Sequence, residues 1–459
     1  MTLEAFTNKY KKLFPLILIL LIALTLRLYK INLAFQFDFD QENYAQAAYD
    51  FYVFHKISAI GTELSFQGLF SGPVHNWMQF IPYGLCNLMP DCEPYFYIFI
   101  GLLTIIALYF VAKKIFDSKV ALVACFIYAI SFRAISIERG ATANNPIFLT
   151  TIGLLYCLHQ YFKGKNAYLI FGSFLAGLAT VNFNPTYITA AIALFVTALL
   201  AKPRKLTIFT ISILAFSVNF LPLLIFNYRH NNIIFESLKN FAAQNSEKTL
   251  SMQKIIGVPK EILTPFITDY LFQSTSLIFT VLTIALSIYG FKKILKYKNK
   301  SLYFLPLTIL VSIFCFFAYS GHIPNYYFQQ SLLSFVILMT LAVRQKIILL
   351  LFSLVFMFLN LSAAVNFTTN NNYKIKKQIV NYILEDTRGE SFNVYYDLPQ
   401  GQNTGYKYLF KANRKTAQEG GKNLYILDGD FTQNKYEIVF PDKKISSRLI
   451  GFVYIVSIK

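Results

Sequence analysis

Apolar runs long enough to cross a bilayer recur along this chain, and they leave few folds open. A helix needs roughly 20 predominantly apolar residues to span the hydrocarbon core. The first run extends from Leu13 to Tyr29 within a stretch at 13–30. Others follow at 95–112, 119–137, 146–162, 166–182, 186–201, 206–226, 277–291, 302–319, 326–343 and 346–365. Backbone in lipid must satisfy its own hydrogen bonds, so such runs predict helices rather than open sheets. The chain is 55% hydrophobic and 14% charged, whereas soluble domains carry roughly a quarter charged residues. The expected fold class is an α-helical polytopic membrane protein of about 11 spans.

Charge orders these spans. The net charge is +19, and Lys and Arg gather in alternate connections. They are Lys9, Lys11 and Lys12; Lys113, Lys114 and Lys119; Lys163 and Lys165; Lys202, Arg204 and Lys205; Lys292 to Lys300; and Arg344 with Lys346. Such loops face the cytoplasm. The pattern predicts a cytoplasmic N-terminus and an extracytoplasmic C-terminus, in a cell (inner) membrane. It also accounts for the basic balance without nucleic acid, because no basic-plus-aromatic single-strand platform lies outside the spans. The first run resembles a signal peptide, but no small-residue cleavage site follows it, and a retained helix is expected.

Residues 74–90 are apolar but carry His75, Asn76, Gln79, Pro82 and Gly84. Counting them as a span would invert every later loop. They read as an interfacial or re-entrant helix, with Trp77 suited to an interface. Cys86 and Cys92 flank this segment's end on the outer side, where a local disulfide is one option. Cys125, Cys157 and Cys315 fall inside apolar runs and read as buried small hydrophobes.

Two outer connections are long, 31–94 and 227–276, and long connections usually carry function. The first opens with Phe35-Gln-Phe-Asp-Phe-Asp-Gln-Glu-Asn-Tyr44. Carboxylates this close to lipid are costly unless solvated, paired or used. Asp40 before Gln-Glu-Asn reads as a helix N-cap. Tyr44, Ala47, Ala48, Phe51, Tyr52 and His55 then recur at helical spacing, predicting a juxtamembrane helix with an apolar face on the membrane. A carboxylate at the aqueous mouth of such a helix is placed to act as a general base. A divalent cation would have Asp38, Asp40 and Glu42 as its ligands.

Other polar clusters sit at outer helix ends. Glu138-Arg139 and Asn144-Asn145-Pro146 flank one turn, and Asn182-Phe-Asn-Pro forms another. Arg139 is suited either to the acidic strip or to bidentate phosphate binding. Arg229 and His230 open the second long connection. His322 and Tyr326 stand at the mouth of a later span. The tail, 366–459, changes composition. A helix is expected at Tyr373 to Leu384, with strands at Phe392–Tyr396, Leu424–Leu427, Glu437–Phe440 and Phe452–Ile458, making a small extracytoplasmic α/β domain behind a 1–365 membrane domain. Asp428-Gly429-Asp430 reads as a turn.

At these residues the chain resembles the membrane glycosyltransferases of the C-type fold, especially the family of protein O-mannosyltransferases and the aminoarabinose transferase of lipid A. The resemblance covers about residues 10–345. It rests on Asp38-Phe-Asp40-Gln-Glu42, on Gly72-Pro73, and on Glu138-Arg139 with Asn144-Asn145-Pro146. It rests also on Leu221-Pro222 with Phe226 and Arg229-His230, and on Asn325-Tyr326-Tyr327. It implies transfer of a sugar from a polyprenyl-phosphate donor to a lipid, glycan or protein acceptor on the outer face, with inversion. Asp40 is similar to the family's base, with Asp38 and Glu42 beside it. Arg139, Arg229 and His230 would hold the donor phosphate, and Asn144, Asn145, His322 and Tyr326 would contact substrate. Two departures stand out: Gln41 separates Asp40 from Glu42, and Asn144-Asn145 stand where relatives carry an aspartate. The alternative is a transporter or flippase of lipid-linked sugars, which would place its polar groups at mid-membrane on broken helices.

Overall fold

A computed structural model describes residues 3–200, 206–246, 272–274, 276–317, 323–343, 346–370, 372–399, 401–441 and 443–458. The first helix, α1 (Leu3–Leu28), leads through a short α2 (Ile31–Ala34) into two juxtamembrane helices, α3 (Phe39–Phe54) and α4 (Val74–Leu85). A layer of apolar helices follows: α5 (Glu93–Ile115), α6 (Ser118–Ile130), α7 (Phe132–Arg139), α8 (Pro146–Tyr161), α9 (Ala167–Asn182), α10 (Ile188–Ala198), α11 (Leu206–Ser217) and α12 (Leu221–Arg229). Beyond α13 (Ile233–Ser246) come α14 (Leu277–Lys296), α15 (Phe304–Phe317), α16 (Leu332–Ala342) and α17 (Lys346–Asn366).

Large apolar side chains line the outside of these helices, Leu214, Leu277 and Phe358 among the most exposed, as a lipid-facing surface requires. Small residues let backbones close in on the inside: a Cβ at Gly177 would meet the Phe216 carbonyl oxygen. Close approach through small residues is the usual basis of helix packing in lipid. By length and apolarity alone, Pro90–Ile115, Leu206–Arg229 and Leu277–Lys296 qualify as spans among the described residues, with shorter apolar helices beside them.

The run expected as one span at 119–137 is broken. Helices α6 and α7 meet at Ser131 with a bend of 56°. The polar groups released by the break find side chains. Ala129 oxygen accepts from Arg27 Nη1 at 2.8 Å, and Phe132 N donates to Asn360 Oδ1 at 2.9 Å. Arg27 also pairs with Glu138, whose other oxygen accepts from the Tyr128 hydroxyl at 2.9 Å. Segment 74–90 is a twelve-residue helix, α4, ending in a turn closed by a Cys86–Cys92 disulfide.

The tail forms α18 (Tyr373–Asp386), β1 (Phe392–Asp397), α19 (Tyr406–Ala412), β2 (Asn423–Asp428), α20 (Gln433–Val439), β3 (Ile445–Ile450) and β4 (Val453–Ile458). The sheet order is β1-β2-β4-β3, with β1 and β2 parallel and the other pairs antiparallel. One expectation fails here, and one strand was not foreseen. Glu437–Phe440 is not a strand, since residues to Val439 complete α20, and Ile445–Ile450 is a strand. Its Ser-Ser-Arg centre hides the alternation, because β3 is an edge strand and largely exposed. Asp428 is buried at the end of β2 and closes the turn that follows: its Oδ1 accepts the Asp430 amide and its Oδ2 accepts from Lys435 and Tyr436. The tail is no loosely tethered module. Phe35 and Phe37 of the loop after α1, Tyr83 of α4 and Tyr97 of α5 share one apolar core with Tyr373, Tyr406, Tyr408 and Leu427.

Candidate active site in the juxtamembrane layer

The acidic strip divides its tasks. Asp38, not Asp40, is the N-cap of α3: its side chain meets the backbone of Gln41, whose own side chain returns to the Asp38 amide in a capping box. A capping box satisfies two end donors reciprocally, and it needs Gln41 where the sequence shows an interruption. Gln41 also reaches the Gly140 carbonyl at 3.3 Å, tying α3 to the corner after α7. Glu42 accepts the Gly405 amide at 2.8 Å and the Tyr408 amide at 3.0 Å, capping α19 of the tail.

Asp40 is left over. It stands in the first turn of α3 and is solvent-exposed. Surrounding protein nevertheless strips part of its hydration, and Asp38 adds repulsion, so its carboxyl is pushed up to about 6. Burial and the Asp40 charge push the Tyr44 hydroxyl, one turn further on α3, far above its usual range.

Behind it lies a buried polar group that the sequence did not single out as a unit. Tyr44 packs edge-on against His75 with ring centroids 4.3 Å apart. His75 Nε2 and Gln79 Nε2 both reach the Tyr97 hydroxyl. Burial pushes His75 down to about 3, so the ring is neutral. Glu93, fully buried at the start of α5, accepts from the Tyr83 hydroxyl at 2.8 Å. Its other oxygen is buried without a protein hydrogen-bond partner, as are His75 Nδ1, Gln79 Oε1 and Asn145 Oδ1. The available signal was an acidic residue opening an apolar span, an expensive place for a charge.

The other expected site residues are placed as follows. Asn145 donates to the Tyr97 carbonyl at 3.2 Å, and Asn144 accepts from Asn184 at 2.7 Å. Both therefore knit the start of α5 and of α8 to the end of α9. Asn182 accepts the Val74 amide at 3.1 Å and fixes the start of α4. Arg139 is fully buried and donates to the carbonyls of Ala364 at 2.9 Å and Tyr29 at 2.7 Å. Two of its guanidinium nitrogens thus bond backbone carbonyls, while its Nε is buried without a protein hydrogen-bond partner. Arg229 is exposed at the end of α12. His230 beside it stacks on Phe226, and Phe226 meets Phe70 of the first long connection. Tyr326 is exposed in a 3-10 turn, Asn325–Ser331. His322 and much of 227–276 lie outside the described residues.

The donor set does not suit a cation held by Asp38, Asp40 and Glu42. Asp38 and Glu42 are engaged by backbone amides. Among the described residues no group of three His, Cys, Asp or Glu side chains is arranged to hold a metal ion.

This architecture resembles that of the C-type membrane glycosyltransferases. The sequence profile of the dolichyl-phosphate-mannose-protein mannosyltransferase family matches residues 71–227, from the Gly72-Pro73 entry to the end of α12. The fold is similar to the crystal structure of ArnT from Cupriavidus metallidurans bound to undecaprenyl phosphate, with a TM-score of 0.63 at 11% identity over 96% of this chain and 97% of that one. The apo form of that protein matches at 0.64 and 10% identity, with the same coverage of 96% and 97%. Archaeal oligosaccharyltransferase AglB from Archaeoglobus fulgidus, in complex with an inhibitory peptide and a dolichol-phosphate, matches at 0.50 and 12% identity over 88% of this chain and 64% of that one. No curated protein matches the chain by sequence.

Proposed function

We propose that this protein transfers a sugar from a polyprenyl-phosphate carrier to an acceptor hydroxyl at the outer face of the membrane, with Asp40 as general base. The observation that carries the reading is the state of Asp40. It is the member of the acidic strip left open to solvent, and its carboxyl is raised to about 6, close to the range where a base works best at neutral pH. The disulfide at the end of α4 fits an oxidising, extracytoplasmic side for this layer.

The chemistry follows from that placement. Asp40 takes the acceptor proton as the acceptor oxygen bonds to the anomeric carbon. The bond from that carbon to the phosphate oxygen breaks, and the sugar inverts. The carrier leaves as a phosphate monoester with one more negative charge, and Asp40 passes its proton to water. Cations that meet this growing charge lower the barrier. Arg229 and His230, beside the first connection through Phe226 and Phe70, are assigned that task, with Tyr326 and Asn144 toward the acceptor side. The transporter alternative draws on the broken α6–α7 span, but Arg27 and Asn360 already occupy that break.

The test is purified protein in nanodiscs, assayed with polyprenyl-phosphate sugars. Asp40→Asn should abolish transfer while the melting profile stays cooperative. Wild-type turnover in that variant would remove Asp40 as the base.

A further inference from the structure

We propose that the tail domain belongs to the catalytic apparatus: Lys376 and the first turn of α19 grip both sides of Asp40 and fix where it stands. This rests on the reading of Asp40 as the base.

The grip is made of named bonds. Lys376 of α18 is buried, and its Nζ donates to the Phe37 carbonyl at 2.6 Å and the Thr404 carbonyl at 2.8 Å. Phe37 immediately precedes the N-cap of α3. On the far side of Asp40, Glu42 accepts the amides of Gly405 and Tyr408. The tail therefore holds the chain on both sides of the reactive carboxylate, within one helical turn. Gly405 completes the fit. It adopts φ +87°, and a Cβ there would approach the Phe37 carbonyl oxygen to 2.7 Å. No larger residue allows the two segments to lie this close.

The chemistry of the contact suits positioning rather than simple adhesion. Hydrogen bonds from an ammonium are stronger than neutral ones, and both acceptors here are backbone carbonyls, so the contact fixes main chain. Burial pulls Lys376 down to about 8, with Asp38 and Glu42 supporting its charge, so it stays largely protonated at neutral pH. Plain adhesion between the layers is available elsewhere. Lys377, the next residue, pairs with Asp91 at 2.7 Å on a half-exposed surface, and Lys411 bonds Gln46 at 3.1 Å. A displacement of about 1 Å at a reacting group can cost on the order of a hundredfold in rate.

The experiment compares wild type, Lys376→Met, Lys376→Arg, Glu42→Gln and Lys377→Ala in nanodiscs, with a polyprenyl-phosphate sugar as donor. Turnover, donor KM and amide exchange of residues 39–44 are measured together. Lys376→Met should lower kcat at least about tenfold, leave donor KM within about twofold, and speed exchange in the first turn of α3. Lys376→Arg, which keeps the cation, should recover part of kcat, and Lys377→Ala should behave as wild type. A folded Lys376→Met with wild-type kcat overturns the proposal. So does a Lys377→Ala loss as large as that of Lys376→Met, which would mean general loosening. Should Lys376→Met fail to fold, Glu42→Gln and Lys376→Arg carry the same comparison. Should wild type transfer no sugar, the reading of Asp40 fails separately, and unchanged exchange in Lys376→Met then overturns the grip itself.

Discussion

Two charged regions lie on either side of the α1 end, and they use charge in opposite ways. Inside the membrane layer, Arg27, Glu138 and Arg139 are fully buried, and each is answered by a partner: an ion pair, a tyrosine hydroxyl, or carbonyls at a helix break or loop. In the juxtamembrane layer, Asp38 and Glu42 are similarly engaged, but Asp40 is left open and repelled by its neighbour. The first region spends its charge on holding helices together. The second retains a destabilised carboxylate that is open to solvent, and that is the arrangement expected of a reactive group. Residue type and position on a helix are a poor guide to this division, since Glu138 and Asp40 are both acidic residues near helix ends.

The largest effect that sharpens the contrast is on rate. Asp40→Asn should lose about 10²–10⁴-fold in turnover, the usual weight of a positioned general base, while Glu42→Asp loses far less. The acid limb of kcat/KM in wild type should fall near pH 6, because the base must be ionised and its carboxyl is raised to that value. An acid limb below pH 5 would place the reactive group elsewhere.

Next comes the buried pair. Removing one partner of a desolvated ion pair leaves an uncompensated charge, costing about 3–5 kcal/mol. Glu138→Ala should therefore collapse the melting temperature, and Arg27→Met with Glu138→Met should restore much of it. If Glu138→Ala melts as wild type but loses donor binding, the pair belongs with the site and the contrast fails.

Arg139 comes next: the sequence offers it as a phosphate ligand, and the structure gives it two backbone carbonyls as partners with its Nε left over. Its side chain makes charge-assisted bonds to two carbonyls, each worth about 1.5–3 kcal/mol. Arg139→Ala should lower stability by about that much and leave donor KM unchanged. A raised donor KM with an unchanged melting temperature would return Arg139 to phosphate binding.

That difference shows what was legible. Helices in lipid announce themselves by length and apolarity, so α5, α8, α9, α11 and α14 lie close to where the sequence put them. The first-loop acidic strip was equally plain. What local pattern does not carry is partnership between distant segments. Nothing near Arg139 signals that Ala364 would meet it, nor near Glu42 that Gly405 and Tyr408 would. The N-cap was placed two residues late because Asp38 and Asp40 offer the same chemistry, and only the Gln41 return contact separates them. The break at Ser131 was hidden by an apolar run that continues on both sides. Strand β3 was missed for the reverse reason, since an exposed edge strand has little apolar signal to give. Glu93 and Lys376 escaped notice because burial of a charge is a property of the assembled layers.

The smallest effect is the most direct measure of the cost of keeping Asp40 ready. Its carboxyl rises from 3.8 to about 6 on folding, so between these values the folded state binds more protons than the unfolded one. Stability contributed by that proton is fully present below pH 3.8 and is lost as pH rises through 6. At pH 7.5 the ionised carboxylate is a burden, partly offset by the favourable field at the start of α3. Asp40→Asn should therefore raise the melting temperature slightly at pH 7.5, and the gain should shrink as pH falls toward 5. Side-by-side melts at the two pH values decide it. A variant less stable than wild type at pH 7.5 would mean that Asp40, like Asp38 and Glu42, serves the frame, and the distinction between the two charged regions would disappear.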